Sequence, residues 1–415
     1  MRVLNASFQS IHNIATWQRC AVAQIALLYG DEAMWREALD GKFGLRRQMA
    51  EGITSDFLWW EQSLGYNNFV VQATLTLFTT SALYGRADEL AAEMTVAEDL
   101  MLSPVYLRFS DGHLPNPADS TGRPTAPNRD IFAATYRVFP TPLGLESVAK
   151  RRDWDTLLDP PPATSAAVIV PEVTAHYLGS TQMALLRAGP WQVFVHYGQL
   201  TRSHAQAEAL NFSASFGNTD VTHDTGTVGY GSPLHKNYYT RGANHNVPLV
   251  NGEGEETPPQ TGVATDFSSD HISVEQPHYR RDARAVRTLS IADDRLVDTA
   301  TIEGTAKSPQ KLGLTLHLQG KARLPTEFKP EKNFAAGRPE PFGYWRSVSG
   351  ATFRDRVEFD VDFDGVVLHV MLATPGEFRV WHGDTPDTPP MRRESFYVET
   401  MGTRAVFTTT FAPKK

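Results

Sequence analysis

Between residues 11 and 102 apolar side chains recur at helical spacing. Trp17, Val22, Ile25, Ala26 and Leu28 mark a first helix, and Gly30-Asp31-Glu32 reads as a stop followed by a start. The pattern predicts a second helix from Glu32 to Leu39 and a third from Phe43 to Gly52. A fourth runs from Asp56 through Trp59, Trp60 and Leu64, where Gly65 interrupts it. Tyr66 to Leu83 and Asp88 to Leu102 continue the series, and Asp130 to Asp155 is helical with a break at Pro140 and Pro142. Such helices, joined by short links and paired antiparallel, predict part of an (α/α) toroid.

Asp159-Pro160-Pro161-Pro162 is the sharpest boundary in the chain. Beyond it the period shortens. Val168-Ile169-Val170, Ala184 to Arg187, Trp191 to Val195, Leu210 to Ser215, Leu312 to Leu318, Phe359 to Asp364, Val366 to Leu372, Phe378 to Trp381 and Ala405 to Phe411 read as strands. Residues 251–262 and 324–341 read as exposed loops. The expected class is α+β: a partial (α/α) toroid over 1–158, then a large antiparallel β-sandwich over 163–415.

Composition narrows the function. A chain of 415 residues exceeds what one core holds, and 41% hydrophobic with 21% charged residues is ordinary for a folded globular protein. The net charge of −8 argues against duplex nucleic acid as a partner. An acidic polysaccharide would have to be held by local Arg, Lys and His clusters. The single cysteine, Cys20, sits in an apolar run and forms no intramolecular disulfide, so a structural thiol is expected. No run reaches the ~20 apolar residues of a membrane span. The N-terminal residues lack a signal-peptide core, which predicts a cytoplasmic location for the chain as it stands.

Three clusters carry possible chemistry. His12-Asn13 precedes the first helix, and Trp59-Trp60-Glu61-Gln62-Ser63-Leu64-Gly65-Tyr66-Asn67 lies ahead of a later one. On spacing alone these are a helix cap and a core edge. The third cluster is denser: Arg202-Ser203-His204, His223-Asp224, Tyr230, His235-Lys236-Asn237-Tyr238-Tyr239 and Asn244-His245-Asn246. Four of the 13 histidines fall in it. Imidazole with carboxylate suits zinc or a similar ion, but the spacing fits no short zinc-finger pattern, and on spacing alone a polar loop network beside a sheet is the better reading.

Taken together these strings resemble the heparinase II/III-like polysaccharide lyases, and especially the exolytic alginate lyases of polysaccharide lyase family 15. The helical part carries His12-Asn13, Trp17, Gly30-Asp31-Glu32, Phe43-Gly44-Leu45-Arg46 and Trp59/Trp60-Glu61-Ser63-Gly65-Tyr66. The later part, from His196-Tyr197-Gly198 to Val250-Asn251-Gly252, is similar to the family's C-terminal domain. Arg202-x-His204 and Gln206 depart from that domain's His-x-His and following Asp, and Ala15 stands where an Arg is expected.

The resemblance implies β-elimination on uronic-acid glycans, alginate first and heparin or heparan sulfate next. It implies His12 and Tyr66 as the acid–base pair, with Asn13 helping to neutralise the substrate carboxylate. Arg202, His235, Tyr239 and Trp59 would contact the sugar. His204, Asp224 and His245 would hold a structural divalent ion, zinc foremost, and no organic cofactor is expected. It also implies a periplasmic or secreted enzyme with further sequence ahead of the His-Asn pair. The competing expectations are a non-catalytic carbohydrate-binding protein or an inactive fragment. Glycoside hydrolysis through Glu61 and Asp56 has no supporting motif.

Overall fold

The structure, a computed structural model, describes residues 3–4, 7–120, 122–163, 170–256 and 260–414. It divides into two compact units. Residues 1–106 and 125–173 make the helical unit, and residues 107–124 and 174–415 make the β unit. The strand-rich unit therefore takes residues 107–124 out of the middle of the helical sequence, which the triple-proline boundary does not reveal. Among the described residues no helix is long and apolar enough to cross a membrane.

The helical unit contains α1 (Asn13–Tyr29), α2 (Glu32–Asp40), α3 (Leu45–Gly52), α4 (Leu64–Leu83), α5 (Ala91–Leu102), α6 (Arg129–Thr135), α7 (Pro142–Ala149) and α8 (Trp154–Leu158). Local chemistry sets their ends. His12 caps α1, and the Gly30 N–H closes it by bonding the carbonyls of Ala26 and Leu27. Asp31 caps α2 through Met34 N–H at 3.0 Å. Thr141 caps α7 with Pro142 at its first turn, which is the break expected at the prolines.

Two sequence expectations fail here. Residues 56–63 are not helical. Phe57 and Gln62 take positive φ (53° and 65°), and Ile53 bridges to Trp59, so the chain folds back over the end of α3. Gly65 does not interrupt a helix either; α4 starts at Leu64 and runs through it. The core joins Cys20, Val22, Ala26, Trp35, Leu39, Met49, Trp59, Val70, Leu77, Phe78, Leu100 and Phe132. Cys20 is buried, and burial pushes its thiol well up, as expected for an inert structural cysteine.

The β unit holds two antiparallel sheets. The first runs in order β1 (His176–Leu178), β2 (Met183–Ala188), β3 (Trp191–His196), β4 (Asn211–Phe216) and β5 (Thr219–Thr222). The second contains β6 (Pro248–Val250), β7 (Val263–Phe267), β8 (His271–Arg280), β9 (Ala283–Ala292), β10 (Arg295–Gly304), β11 (Gln310–Leu318), β12 (Lys321–Arg323), β13 (Lys329–Pro330), β14 (Arg346–Phe363), β15 (Val366–Pro386), β16 (Arg392–Gly402) and β17 (Arg404–Pro413). Its order is β6-β11-β16-β15-β17-β10-β9-β8-β7, with β14 also on β15 and β12 and β13 on β14. Trp191, Val193 and Phe212 of the first sheet share one core with Val274, Leu289, Leu316, Val370 and Phe411 of the second.

The strands over 271–304 escape the sequence reading because their inward positions include a charge pair. Arg287 and Asp298 are fully buried and bonded at 2.6 and 2.7 Å, and Arg287 also donates to Leu210 O at 2.6 Å. The proposed strands at Phe359 to Trp381 prove to be parts of two very long strands, β14 and β15. Of the strand expected at Val168-Ile169-Val170, Val168 and Ile169 lie outside the described residues, and Val170 is not in a strand.

Candidate active site and buried cation cluster

In the helical unit, α1 and α4 pack side by side in parallel. Trp17 Nε1 donates to Phe69 O at 3.0 Å and Gln24 Nε2 to Thr76 Oγ1 at 3.1 Å, both across 52 residues. Two contacts with one offset mean that the N-termini of the two helices lie at the same end. His12 and Tyr66 therefore sit at that end, two residues out of register, or ~3 Å along the axis.

The imidazole of His12 is fixed on both sides. Its Nδ1 accepts from Ile14 N–H at 3.1 Å, and its Nε2 lies 3.7 Å from Glu61 Oε1. The Nδ1 bond assigns the neutral ring a proton on Nε2, so Nε2 is the ring's hydrogen-bond donor. Glu61 is buried, delivered by the fold-back at 56–63. Gln48 holds the cap from below, accepting from His12 N–H at 3.0 Å and donating to Ser10 O at 2.9 Å. Asn13 is buried; its Oδ1 shares the Ile14 N–H at 2.6 Å, which leaves Nδ2 as the donor a carboxylate would need. Tyr66 is half-buried and packs edge-on to Phe69.

Asn67 ties the segment together. Its Oδ1 accepts from Trp59 N–H at 2.9 Å and its Nδ2 donates to Leu100 O at 3.3 Å. Trp59 is itself 0% exposed and lies flat under Gly52, where a Cβ would come within 2.3 Å of the indole. It therefore offers no face to a sugar, and its expected contact role is corrected to core packing.

In the β unit, Glu208, Asp224 and His245 bring one ligand atom each within 4.8 Å of one another, all buried. Asp224 Oδ2 accepts from His245 Nδ1 at 2.6 Å, and Oδ1 accepts from Gly226 N–H at 2.7 Å. Gly226 can take φ 56° with Ser120 O close by; a Cβ there would meet that oxygen at 2.0 Å. Burial alone would raise the Asp224 carboxyl and lower the His245 imidazole; their mutual contact reverses both. Glu208 Oε1 accepts from Ala118 N–H at 2.6 Å, with His196 Nδ1 at 3.3 Å. Glu208 Oε2 and His245 Nε2 have no hydrogen-bond partner among the described residues. Two unsatisfied buried ligand atoms in a Glu-Asp-His set fit a divalent cation.

Residues 174–272 match the family model described as heparinase II/III-like, C-terminal, and residues 4–88 match the alginate lyase model. The stretch over 174–272 is heparinase II/III-like. Among solved structures, heparinase III is 14% identical, covered over 98% of this chain and 62% of its own, with a TM-score of 0.71. A heparan sulfate lyase from Pedobacter heparinus is 14% identical over 97% of this chain and 60% of its own, with a TM-score of 0.65. A chondroitinase AC lyase is 9% identical over 96% and 61%, with a TM-score of 0.52. At these identities the likeness establishes the fold. The chain spans about three fifths of the length of these structures. A search of curated proteins returned no match.

The heparinase II/III-like segment places the remaining expected residues as follows. His204 does not join Asp224 and His245; its Nδ1 lies 3.3 Å from Asp119 Oδ2 and 2.8 Å from Tyr230 OH, and Glu208 takes its place in the cluster. His204 takes a positive φ of 60°. Tyr239 is 0% exposed, its hydroxyl bonded to Asp387 O and pushed well up by burial, so it packs the interior and touches no sugar. His235 is nearly buried, with Nδ1 2.6 Å from Thr227 Oγ1 and its ring edge-on to Tyr230. Arg202 is exposed on the loop before His204.

Glu208, Gln48 and Arg393 are functional-looking residues that spacing does not flag. Arg393 donates to His223 O at 2.9 Å and to Asn244 Oδ1 at 3.1 Å, holding both loops from β16. Only a three-dimensional contact links 393 to 223 and 244.

Proposed function

We propose that this chain provides the catalytic and sandwich parts of a polysaccharide lyase that cleaves uronate glycans by β-elimination. The observation that carries the reading is the pairing of His12, backed by buried Glu61, with Tyr66 at the same end of parallel α1 and α4. Elimination needs the C5 carboxylate neutralised, the C5 proton removed, and the leaving 4-oxygen protonated. Asn13 Nδ2 serves the first step. Tyr66 serves the other two, with His12 Nε2–H donating to its oxygen: the Tyr66 phenolate takes the C5 proton, the C5–H electrons form the C4–C5 double bond, the C4–O bond breaks, and Tyr66 returns the proton to the leaving oxygen. Arg202 supplies positive charge to the acidic chain.

Alginate or an oligoalginate is the favoured substrate, because the alginate lyase match over 4–88 includes both His12 and Tyr66. Heparin or heparan sulfate comes next, in line with what the heparinase III and heparan sulfate lyase structures are named for. Glu208, Asp224 and His245 hold a divalent cation, zinc foremost, that fixes the loop before β4 to the segment between β5 and β6; a closed set of this kind braces structure and leaves elimination to the helical residues. A periplasmic or secreted site of action goes with such a polymer substrate.

The test is ultraviolet absorbance of the unsaturated uronate product with alginate and heparan sulfate oligosaccharides. Tyr66→Phe should lower turnover by about 10²–10⁴-fold while the melting temperature stays in place. Undiminished turnover in that variant removes Tyr66 from the chemistry and the proposal with it.

A further inference from the structure

The β unit has a second concavity of about 660 Å³, whose lining includes Arg202, Lys236, Arg241, Glu253, Glu255 and Arg280. Its size lies within the range of small-ligand sites, roughly 300–1,000 Å³. Two of its cations are already committed: Arg241 grips Glu253 at 2.9 and 3.0 Å, and Arg280 donates to Gly254 O at 2.6 Å. Arg202 and Lys236 are exposed and pair with no carboxylate among the described residues.

Exposed cations alone prove little, since solvent satisfies them. The second observation is Glu255. It is 6% exposed, lines the same concavity, and its Oε2 has no hydrogen-bond partner among the described residues. Its other oxygen accepts from Gln260 N–H at 3.3 Å. A buried polar atom left without a partner is costly, so Oε2 is placed to meet something that enters. Ala205, Ala207 and Thr240 add only small side chains to the lining and leave room for it.

We propose that this concavity is a subsite for one uronic acid residue, with the sugar carboxylate between Arg202 and Lys236 and a ring hydroxyl on Glu255 Oε2. A simple inorganic anion would use the two cations and leave the carboxyl facing it unbonded. A neutral sugar would use the carboxyl and leave the cations idle. A uronate carries both partners on one ring. The subsite is formed by residues of the β unit alone, so it grips the chain without sharing a residue with the His12–Tyr66 pair. It rests on the reading of the substrate as an acidic glycan and adds the residues that recognise it.

The experiment is calorimetric titration of the Tyr66→Phe protein, which holds substrate without turning it over, with a mannuronate trisaccharide, mannotriose and inorganic sulfate. The trisaccharide should bind, and the double change Arg202→Gln with Lys236→Gln should weaken it roughly tenfold or more. Glu255→Ala should weaken it comparably, and Glu255→Gln, which keeps the hydrogen-bonding reach, should restore most of it. Melting curves check that each variant folds. Unchanged trisaccharide affinity in the double variant overturns the subsite, as does sulfate binding as tightly as the trisaccharide with no response to Glu255→Ala. If the unaltered protein yields no unsaturated product while these variants still lose affinity, the lyase reading fails and the subsite stands.

Discussion

At the scale of single residues, the site depends on how neighbours hold its reacting groups. Glu61 touches no substrate in the proposed chemistry; it faces His12 Nε2 at 3.7 Å and positions the ring. Glu61→Gln should therefore lower kcat, by up to about 10²-fold for a misplacement of ~1 Å, with KM little changed and the alkaline limb of the pH–rate profile moved. An unshifted profile would assign Glu61 to packing only. Gly52 is a second such support. Its missing Cβ lets the Trp59 indole lie against the backbone, at what would be 2.3 Å from a methyl group. Gly52→Ala should cost about 1–3 kcal/mol in chemical denaturation, as overpacking does, and loosen the 56–63 fold-back that carries Glu61. His12 and Tyr66 were legible from the sequence as residues, through motif resemblance. Glu61 was visible as a residue but not as the partner of His12, because 49 positions separate them and a reversal of the chain brings them together.

At the scale of elements, the two sheets of the β unit are tied by ionic contacts as well as by their shared core. His223, just beyond β5, has Nδ1 2.6 Å from Asp220 and Nε2 3.3 Å from Asp387, which follows β15. Burial by itself would lower this imidazole; the two carboxylates outweigh it and hold it up at about 9, while Asp387 is held well below the ordinary carboxylate range. A folded value above the unfolded ~6.5 means the contribution is complete below pH ~6.5 and disappears as pH rises through 9. The stability gap between the native protein and His223→Gln should thus be widest near pH 6 and shrink above pH 9 in paired thermal melts. A gap that stays constant across that range would show the imidazole is not charged in the fold. Helix ends were readable where a cap or proline marks them, as at Asp31 and Thr141. The helix expected at 56–63 was not, because its apolar period comes from Leu58 and Trp59 packing in a turn.

At the scale of the molecule, each unit carries one part of the proposed activity. The helical unit bears the acid–base pair, and the β unit bears the Glu208–Asp224–His245 cluster. Because the cluster joins the loop before β4 to loops around 224 and 245, a bound cation would add its binding energy to the fold. Chelation should then lower the melting temperature of the native protein, readdition of zinc should restore it, and Glu208→Gln should melt near the chelated value without responding to chelator. Metal analysis of the purified protein provides the direct count, and a metal-free native protein with an unchanged melt would leave the cluster as a plain ion-pair network.

The chain's local pattern set the class of each region: a 3.6-residue period before the proline run, short alternating strands after it, and motifs that single out His12, Tyr66, Asp224 and His245 as candidates. Those properties are local, written in spacing and residue type. Tertiary structure alone decided the partners. It buried Trp59 and Tyr239, separated His204 from Asp224, and put Glu208 with His245, Glu61 with His12 and Arg393 with Asn244. A buried charge is tolerated only where an opposite group meets it, and that meeting depends on sheet register and loop course, which no run of neighbouring residues encodes.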